Sequence, residues 1–308
     1  MTYILAFPGM MPLGDAIAKL SGAQVGEVDL HRFPDGESLV TLPGDLAGKD
    51  VAILATLREP DPLTLPLRFA AETARELGAR RVGLIAPYLA YMRQDRRFAD
   101  GQAVSAPLFA RFLEESFDWL VTADPHLHRI HALEDLFDIP LRRIETAPLL
   151  AGWIAANVPD AVLLGPDSES RQWVAEVARL ADRPYEVLEK RRSGDRSVEV
   201  SVPHSEALLT GTPVILDDIA SSGRTLIQAI ERLLAAGTRP PICVVIHAVF
   251  AGDAHDEILA AGAARVVTTN SIPHASNAVS LAQVLADAAR DLQAGHPPIR
   301  RAGARTTR

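Results

Sequence analysis

The 308-residue chain is 48% hydrophobic and 23% charged, the profile of a globular protein with a sizeable core. That excludes a disordered chain, a coiled coil and a collagen-like repeat. Thirty-one basic against thirty-nine acidic residues leave a net charge of −8, the wrong sign for neutralising a phosphate backbone, so nucleic acid is not an expected partner.

The N-terminal MTYILAFPGMMPLGDAIAKL lacks a basic leader and a small-residue cleavage site. No stretch approaches the roughly 18 apolar residues that cross a bilayer. A cytoplasmic protein with no membrane partner is expected. Along the chain, strand-like runs are predicted at 3–7, 50–57, 80–88, 118–124, 160–167, 212–218, 242–250 and 265–270. Several are continuously apolar, as strands covered on both faces are. Helical patterns lie between them at 67–79, 106–116, 171–182 and 225–237. This alternation predicts an α/β protein with mostly parallel sheets flanked by helices.

The pattern is played twice. At about 150 residues per domain the length allows two domains, and residues 1–145 and 146–295 are the expected pair. They divide at the turn-rich DIPLRRIETAP, where Pro140 and Pro148 discourage a continuous helix. Residues 296–308 show no apolar periodicity and read as a flexible tail. Cys243, the single cysteine, sits in the apolar run ICVVIHAVF and reads as a buried, inert thiol. Lysine is scarce, with only Lys19, Lys49 and Lys190.

In open α/β sheets ligands bind beyond the carboxyl ends of the strands, so the segments just after strands are informative. In RFPDGES (32–38) a turn presents Phe33 as a flat face for a purine. Asp35 and Glu37 there can accept from ribose hydroxyls or an exocyclic amine; a plain β-turn is the other reading. In YMRQDRR (91–97) Arg93 and Gln94 can grip phosphate or base and Asp95 can orient an arginine, although a solvated charge run fits too. ADPHLH (123–128) holds His126. A lone histidine suits Mg²⁺ poorly unless nucleotide phosphates and waters complete the shell. His126, His128 and His131 are not spaced to share one helical face, so no preformed zinc site is expected.

VLEKRRSGDRSVEV (187–200) places Lys190 and Arg192 at the start of a polar turn between two strand-like runs. VILDDIASSGRTL (214–226) is the clearest segment. An apolar strand ends in Asp217 and Asp218, then a turn Ala220-Ser221-Ser222-Gly223, then Thr225 opening a helix. Small residues let backbone N–H groups close around a phosphate, and the helix N-terminus adds about half a positive charge. The two carboxylates cannot favour that phosphate and suit sugar hydroxyls or a Mg²⁺-bound water. An acidic, serine-rich helix cap without a ligand is the plainer alternative.

Two acids at a strand end, a small-residue loop and a threonine resemble the phosphoribosyl-binding loop of the phosphoribosyltransferase superfamily. RFPDGES, YMRQDRR, ADPHLH and VTTNSIPH (267–274) resemble, in order, signature segments of the ribose-phosphate diphosphokinase family. The resemblance spans residues 1 to about 290. It implies two phosphoribosyltransferase-like domains and transfer of diphosphate from Mg-ATP to the 1-hydroxyl of ribose 5-phosphate, giving phosphoribosyl diphosphate and AMP. By the same resemblance, Phe33, Asp35, Glu37, Arg93, Gln94 and Asp95 belong to the ATP site. The loop holding the first three reaches a neighbouring subunit's site in the family, which implies a homo-oligomer, a dimer or an assembly of dimers. His126 and Asp167 match the metal-associated positions, with Mg²⁺ the implied ion. Lys190 and Arg192 match the catalytic loop. Asp217, Asp218, Ser221, Ser222, Gly223, Arg224 and Thr225 match the ribose-phosphate site.

There are departures. Ser221 stands where many members carry a third acid and resembles archaeal-type members, Arg224 replaces a common glycine, and SESRQW follows Asp167 where glycines and a basic residue are usual. The altered 221–224 loop keeps a non-catalytic regulatory paralogue open as an alternative; the other is a phosphoribosyltransferase, which would use the same 214–226 loop but not need the other segments.

Overall fold

The computed structural model describes residues 2–295 apart from 98, 128, 129, 131, 168, 169, 194–196 and 202–204. They fall into two units: residues up to Ile144 together with those from Ala282 onward, and Glu145–Leu281.

The first unit opens with β1 (Thr2–Ala6), α1 (Met11–Ser21) and β2 (Gln24–Glu27). Gly22 ends α1 in the left-handed conformation at φ 69°, which costs glycine nothing. An antiparallel hairpin of β3 (Asp29–Arg32) and β4 (Ser38–Thr41) follows. Then come β5 (Asp50–Leu54), α2 (Asp61–Glu76), β6 (Arg81–Ala86), α3 (Ser105–Glu114), β7 (Leu120–Ala123) and β8 (Leu141–Ile144). Six strands form a parallel sheet in the order β2-β1-β5-β6-β7-β8. Every residue of β5, β6 and β7 is buried, which explains why they are apolar but for Asp50, Arg81 and Thr122. Asp50 is tolerated there because Arg80 and Arg81 donate to its carboxylate, Arg81 Nε at 3.0 Å. Burial opposes the Asp50 charge, yet these two guanidinium groups outweigh it and hold the carboxyl below its usual range.

The second unit repeats the plan. It comprises α4 (Ala147–Asn157), β9 (Ala161–Gly165), α5 (Arg171–Ala181), β10 (Tyr185–Val187) and a hairpin of β11 (Glu189–Ser193) with β12 (Ser197–Ser201). After it come α6 (Glu206–Thr210), β13 (Thr212–Ile219), α7 (Arg224–Ala235), β14 (Ile242–His247), α8 (Ala254–Ala260), β15 (Arg265–Thr269) and β16 (Asn277–Val279). The sheet is again parallel, ordered β10-β9-β13-β14-β15-β16.

One boundary differs from the sequence expectation. The last helix, α9 (Ala282–Gly295), was expected in the second domain, yet it packs on α1, β7 and β8 of the first unit. Its buried face is Ala282, Leu285, Ala286, Ala288, Ala289 and Leu292. Small residues allow close approach, and Gln293 fixes the far end: its side chain accepts from Thr2 Oγ1 at 2.8 Å and its carbonyl from Arg81 at 2.5 Å. Apolar periodicity reveals that a helix is covered on one side but not which core covers it. The expected tail, 296–308, lies outside the described residues.

Gly83 in β6 lies under the Trp119 indole, and a Cβ at this position would overlap the ring. Trp119 is only 2% exposed, so it has nowhere to move. Gly83→Ala is expected to lower unfolding stability by about 1–3 kcal/mol, the usual cost of overpacking a close-packed core. The urea midpoint reads this directly, and an unchanged midpoint would show that the indole yields without strain.

Candidate functional site

In the second unit β9, β13, β14 and β15 run parallel and adjacent. Their carboxyl ends therefore bring residues 165–167, 217–223, 247–251 and 269–271 to one edge of the sheet. Asp217 and Asp218 are partly buried near the end of β13, and the Asp218 N–H donates to Asp217 Oδ1 at 3.0 Å. Two residues later the chain turns out of the sheet. Gly223 takes φ 70° and stands at the N-cap of α7, where no side chain caps the helix. Ser222, Arg224 and Thr225 are exposed around those N–H groups. An uncapped helix start ringed by hydroxyls and a guanidinium suits a dianionic phosphate.

The acids serve a different purpose. Burial, then the charge of Asp218, and further off that of Asp167, push the Asp217 carboxyl up to about 8. The group is thus held ready to share a proton or to meet something less negative than itself, such as sugar hydroxyls. Asp167, after β9, is ordered by local bonds: Ser170 N–H donates to Asp167 Oδ1 at 3.2 Å and Ser170 Oγ to its carbonyl at 2.6 Å. Lys190 and Arg192 lie two residues apart on β11, paired in register with Val200 and Val198 of β12.

The first unit holds the remaining expected residues on two separate elements. Phe33, Asp35 and Glu37 form the β3–β4 turn, closed by Phe33 N–H to Glu37 O at 2.9 Å and Glu37 N–H to Asp35 Oδ1 at 3.1 Å. Phe33 is 41% exposed, and His31 meets it edge-on with centroids 4.7 Å apart. Arg93, Gln94 and Asp95 follow β6, and His126 follows the neighbouring β7, so these four leave adjacent strand ends. Gln94 is held by Ser105 Oγ at 2.5 Å, and its N–H donates to Tyr91 O at 3.0 Å. Tyr91 takes φ 66° and donates its hydroxyl to Asp61; that bond pushes the phenol up to about 12. A groove of about 450 Å³ opens beside them between Asp61, Thr64, Tyr91, Ser105, Phe109 and Phe112.

Among the described residues no three His, Cys, Asp or Glu side chains are arranged to hold a metal ion. The second unit's acids, Asp167, Asp217 and Asp218, are hard oxygen donors. They suit a hydrated Mg²⁺ whose remaining ligands come with a nucleotide, not a closed protein cage. His128 and His131 lie outside the described residues.

Two family matches cover most of the chain: residues 2–116 match the N-terminal domain of ribose phosphate pyrophosphokinase, and residues 133–284 the phosphoribosyl transferase domain. A ribose-phosphate pyrophosphokinase of Methanopyrus kandleri is 33% identical over 293 residues, covering 94% of this chain and 99% of its own. The chain belongs to the ribose-phosphate pyrophosphokinase family. A member from Halobacterium salinarum is 32% identical, covering 92% of this chain and 99% of its own. Both relatives are archaeal, as serine at 221 led one to expect. The crystal structure of phosphoribosylpyrophosphate synthetase from Mycobacterium smegmatis superimposes with a TM-score of 0.81 at 24% identity, covering 95% of this chain and 98% of that one, which establishes the shared fold.

Some features of this pyrophosphokinase-family site went unread in the sequence. Asp124 is buried at φ 28° and paired with Arg143 at 3.0 Å, two residues before His126. The 248–253 segment after β14 meets the 217–223 loop, although the sequence pattern marks 242–250 only as strand. Its position was inferable, because β14 is parallel to β13 and must end at the same edge.

The Asp217 shift has a measurable sign. Between its ordinary value of 3.8 and about 8, the folded chain holds a proton that the unfolded chain has released. Stability from this group is therefore complete below pH ~4 and is lost as pH rises through about 8. Asp217→Asn, neutral throughout, is expected to melt higher than the parent protein near pH 9 and to differ little near pH 4, with no substrate present. Equal differences at the two pH values would show that Asp217 is not under this strain.

Proposed function

We propose that the protein is a ribose-phosphate diphosphokinase that moves the β,γ-diphosphoryl group of Mg-ATP to the 1-hydroxyl of ribose 5-phosphate. The observation that carries this reading is the end of β13: an acid pair for hydroxyls directly before an uncapped helix N-terminus for phosphate. Family membership over nearly the whole length supports it. The β3–β4 turn and the 91–97 segment supply what a phosphoribosyltransferase would not need.

The chemistry is mostly positioning and charge stabilisation. Asp217 and Asp218 accept from the ribose hydroxyls and so orient the 1-hydroxyl. Ser222, Thr225, Arg224 and the first N–H groups of α7 hold the 5-phosphate. Phe33, Asp35, Glu37, Arg93, Gln94 and Asp95 bind ATP, as the resemblance implies. Lys190 and Arg192 neutralise charge that develops around the β-phosphorus as its bond to the α-phosphate oxygen breaks. His126 and Asp167 are the metal-associated positions that the resemblance implies, and Mg²⁺ would supply Lewis-acid neutralisation of the phosphate oxygens. No covalent nucleophile is required. Oligomerisation through the β3–β4 turn is part of the same reading.

The deciding assay mixes purified protein, Mg-ATP and ribose 5-phosphate and measures AMP. AMP formed only when both substrates are present supports the reading; its absence overturns it. Lys190→Ala is expected to lower kcat at least ~100-fold, about 2.7 kcal/mol at ~1.36 kcal/mol per decade, with ATP binding retained in a calorimetric titration. An unchanged kcat would remove the 187–200 segment from the mechanism.

Arg224 distinguishes this chain from members with glycine. Charge-assisted bonds contribute roughly 1.5–3 kcal/mol, so Arg224→Gly should raise the KM for ribose 5-phosphate about tenfold and leave that for ATP nearly unchanged. A lower KM in the glycine variant would mean that the guanidinium obstructs the phosphate.

A further inference from the structure

We propose that a three-ring cluster, Phe250–His255–His274, positions the 220–223 loop for the sugar phosphate. This rests on that loop being the ribose-phosphate site. The loop has little of its own to fix it, since Gly223 provides no side-chain cap and Ser222 is exposed. Its order comes from the segment that leaves β14. Phe250 N–H donates to Ala220 O at 2.8 Å, and Ala251 N–H to Ser221 O at 3.0 Å. A third bond, Ala220 N–H to His247 O at 3.2 Å, ties the loop's first residue to the end of the same strand.

Phe250 can make its bond only in an unfavourable backbone state. Its φ is 24°, where a bulky L residue rarely sits, and such strain persists only when surrounding contacts over-determine it. Two imidazoles do so here. His255 meets the Phe250 ring with centroids 5.3 Å apart at 69°, and His274 at 4.8 Å and 54°. The two imidazoles also meet each other, 4.8 Å apart at 62°. These tilted and edge-on geometries are the favourable ones for aromatic pairs.

Each imidazole is anchored on a different neighbour of the loop. His274 Nδ1 accepts from Ser276 N–H at 3.1 Å, and Ser276 Oγ lies 2.9 Å from Thr268 Oγ1, which ties the ring to β15. His255 belongs to α8, and α8 also lies under the loop: a Cβ on Gly223 would come within 3.0 Å of Ile258. The cluster thus links α8, β15 and the exit of β14 to one strained residue, and that residue holds the loop. None of the three rings needs to touch substrate; they are positioning residues. Their loss should weaken binding of the sugar phosphate while leaving the chemical step and the nucleotide untouched.

The test is steady-state kinetics on four variants of the full chain, each checked for folding by thermal melting. His255→Ala is expected to raise the KM for ribose 5-phosphate about fivefold, ~1 kcal/mol at ~1.36 kcal/mol per decade, with kcat and the KM for ATP within twofold of the parent. His255→Phe keeps an aromatic edge and should restore the parent KM. His274→Leu should behave as His255→Ala does; if it does not fold, the His255 pair decides alone. A folded His255→Ala with the parent KM, or with both KM values raised alike, overturns the proposal. Thr225→Val probes the loop directly. If it raises the ribose 5-phosphate KM while His255→Ala does not, the ring cluster is irrelevant and the site assignment stands. If Thr225→Val has no effect either, the ribose-phosphate reading itself fails. Should the parent protein show no turnover, calorimetric titration with ribose 5-phosphate reads the same ratios as Kd.

Discussion

A strand covered on both faces can carry polar groups only where it stops. β5, β6 and β7 in one unit and most of β9, β13 and β14 in the other are sealed from water, so ionised side chains along their lengths would face an uncompensated desolvation cost. Parallel pairing then aligns the stopping points. Much of the chemistry collects at one edge of each sheet because the interior refuses it; the residues of the β3–β4 turn and of β11 are carried instead on separate antiparallel hairpins. Asp50 shows the cost of breaking the rule: a carboxylate at the opposite end of β5 needs two guanidinium groups to remain charged.

The same constraint explains how an acidic chain can hold phosphates. The net charge of −8 is spread over the whole molecule, whereas the start of α7 offers directed N–H groups, hydroxyls and one arginine within a single turn. Setting Asp217 and Asp218 immediately before that turn divides the ligand by charge. In the proposed reading the dianion goes to the helix and the hydroxyl-bearing ring to the acids. Burial lifts Asp217 first, and repulsion within the acid pair adds to it, which is the cost of keeping the two functions so close.

Much of this was legible before any coordinates. Continuous apolar runs gave the central strands, and Asp217-Asp218 followed by Ala220-Ser221-Ser222-Gly223 marked the loop, because few other jobs require that order of acids and small residues. The edge strands β2, β8, β10 and β16, of three or four residues, were too short to leave a periodic signal. The partner of α9 was illegible because a stripe of alanine and leucine fits either core. Phe250 and His255 escaped notice for a different reason. A strained φ and a ring cluster completed by His274, 24 residues after Phe250, are properties of packing, and no local pattern of residue types encodes them.

The attachment of α9 to the first sheet inverts the order in which the protein can be finished. A ribosome delivers β1 through β8 first, but the helix that covers α1 and receives Thr2 and Arg81 through Gln293 emerges only after the entire second unit. At about 5–20 residues per second the earlier half waits on the order of ten seconds with part of its surface uncovered while the second unit is being made. The N-terminal unit is therefore the last to close.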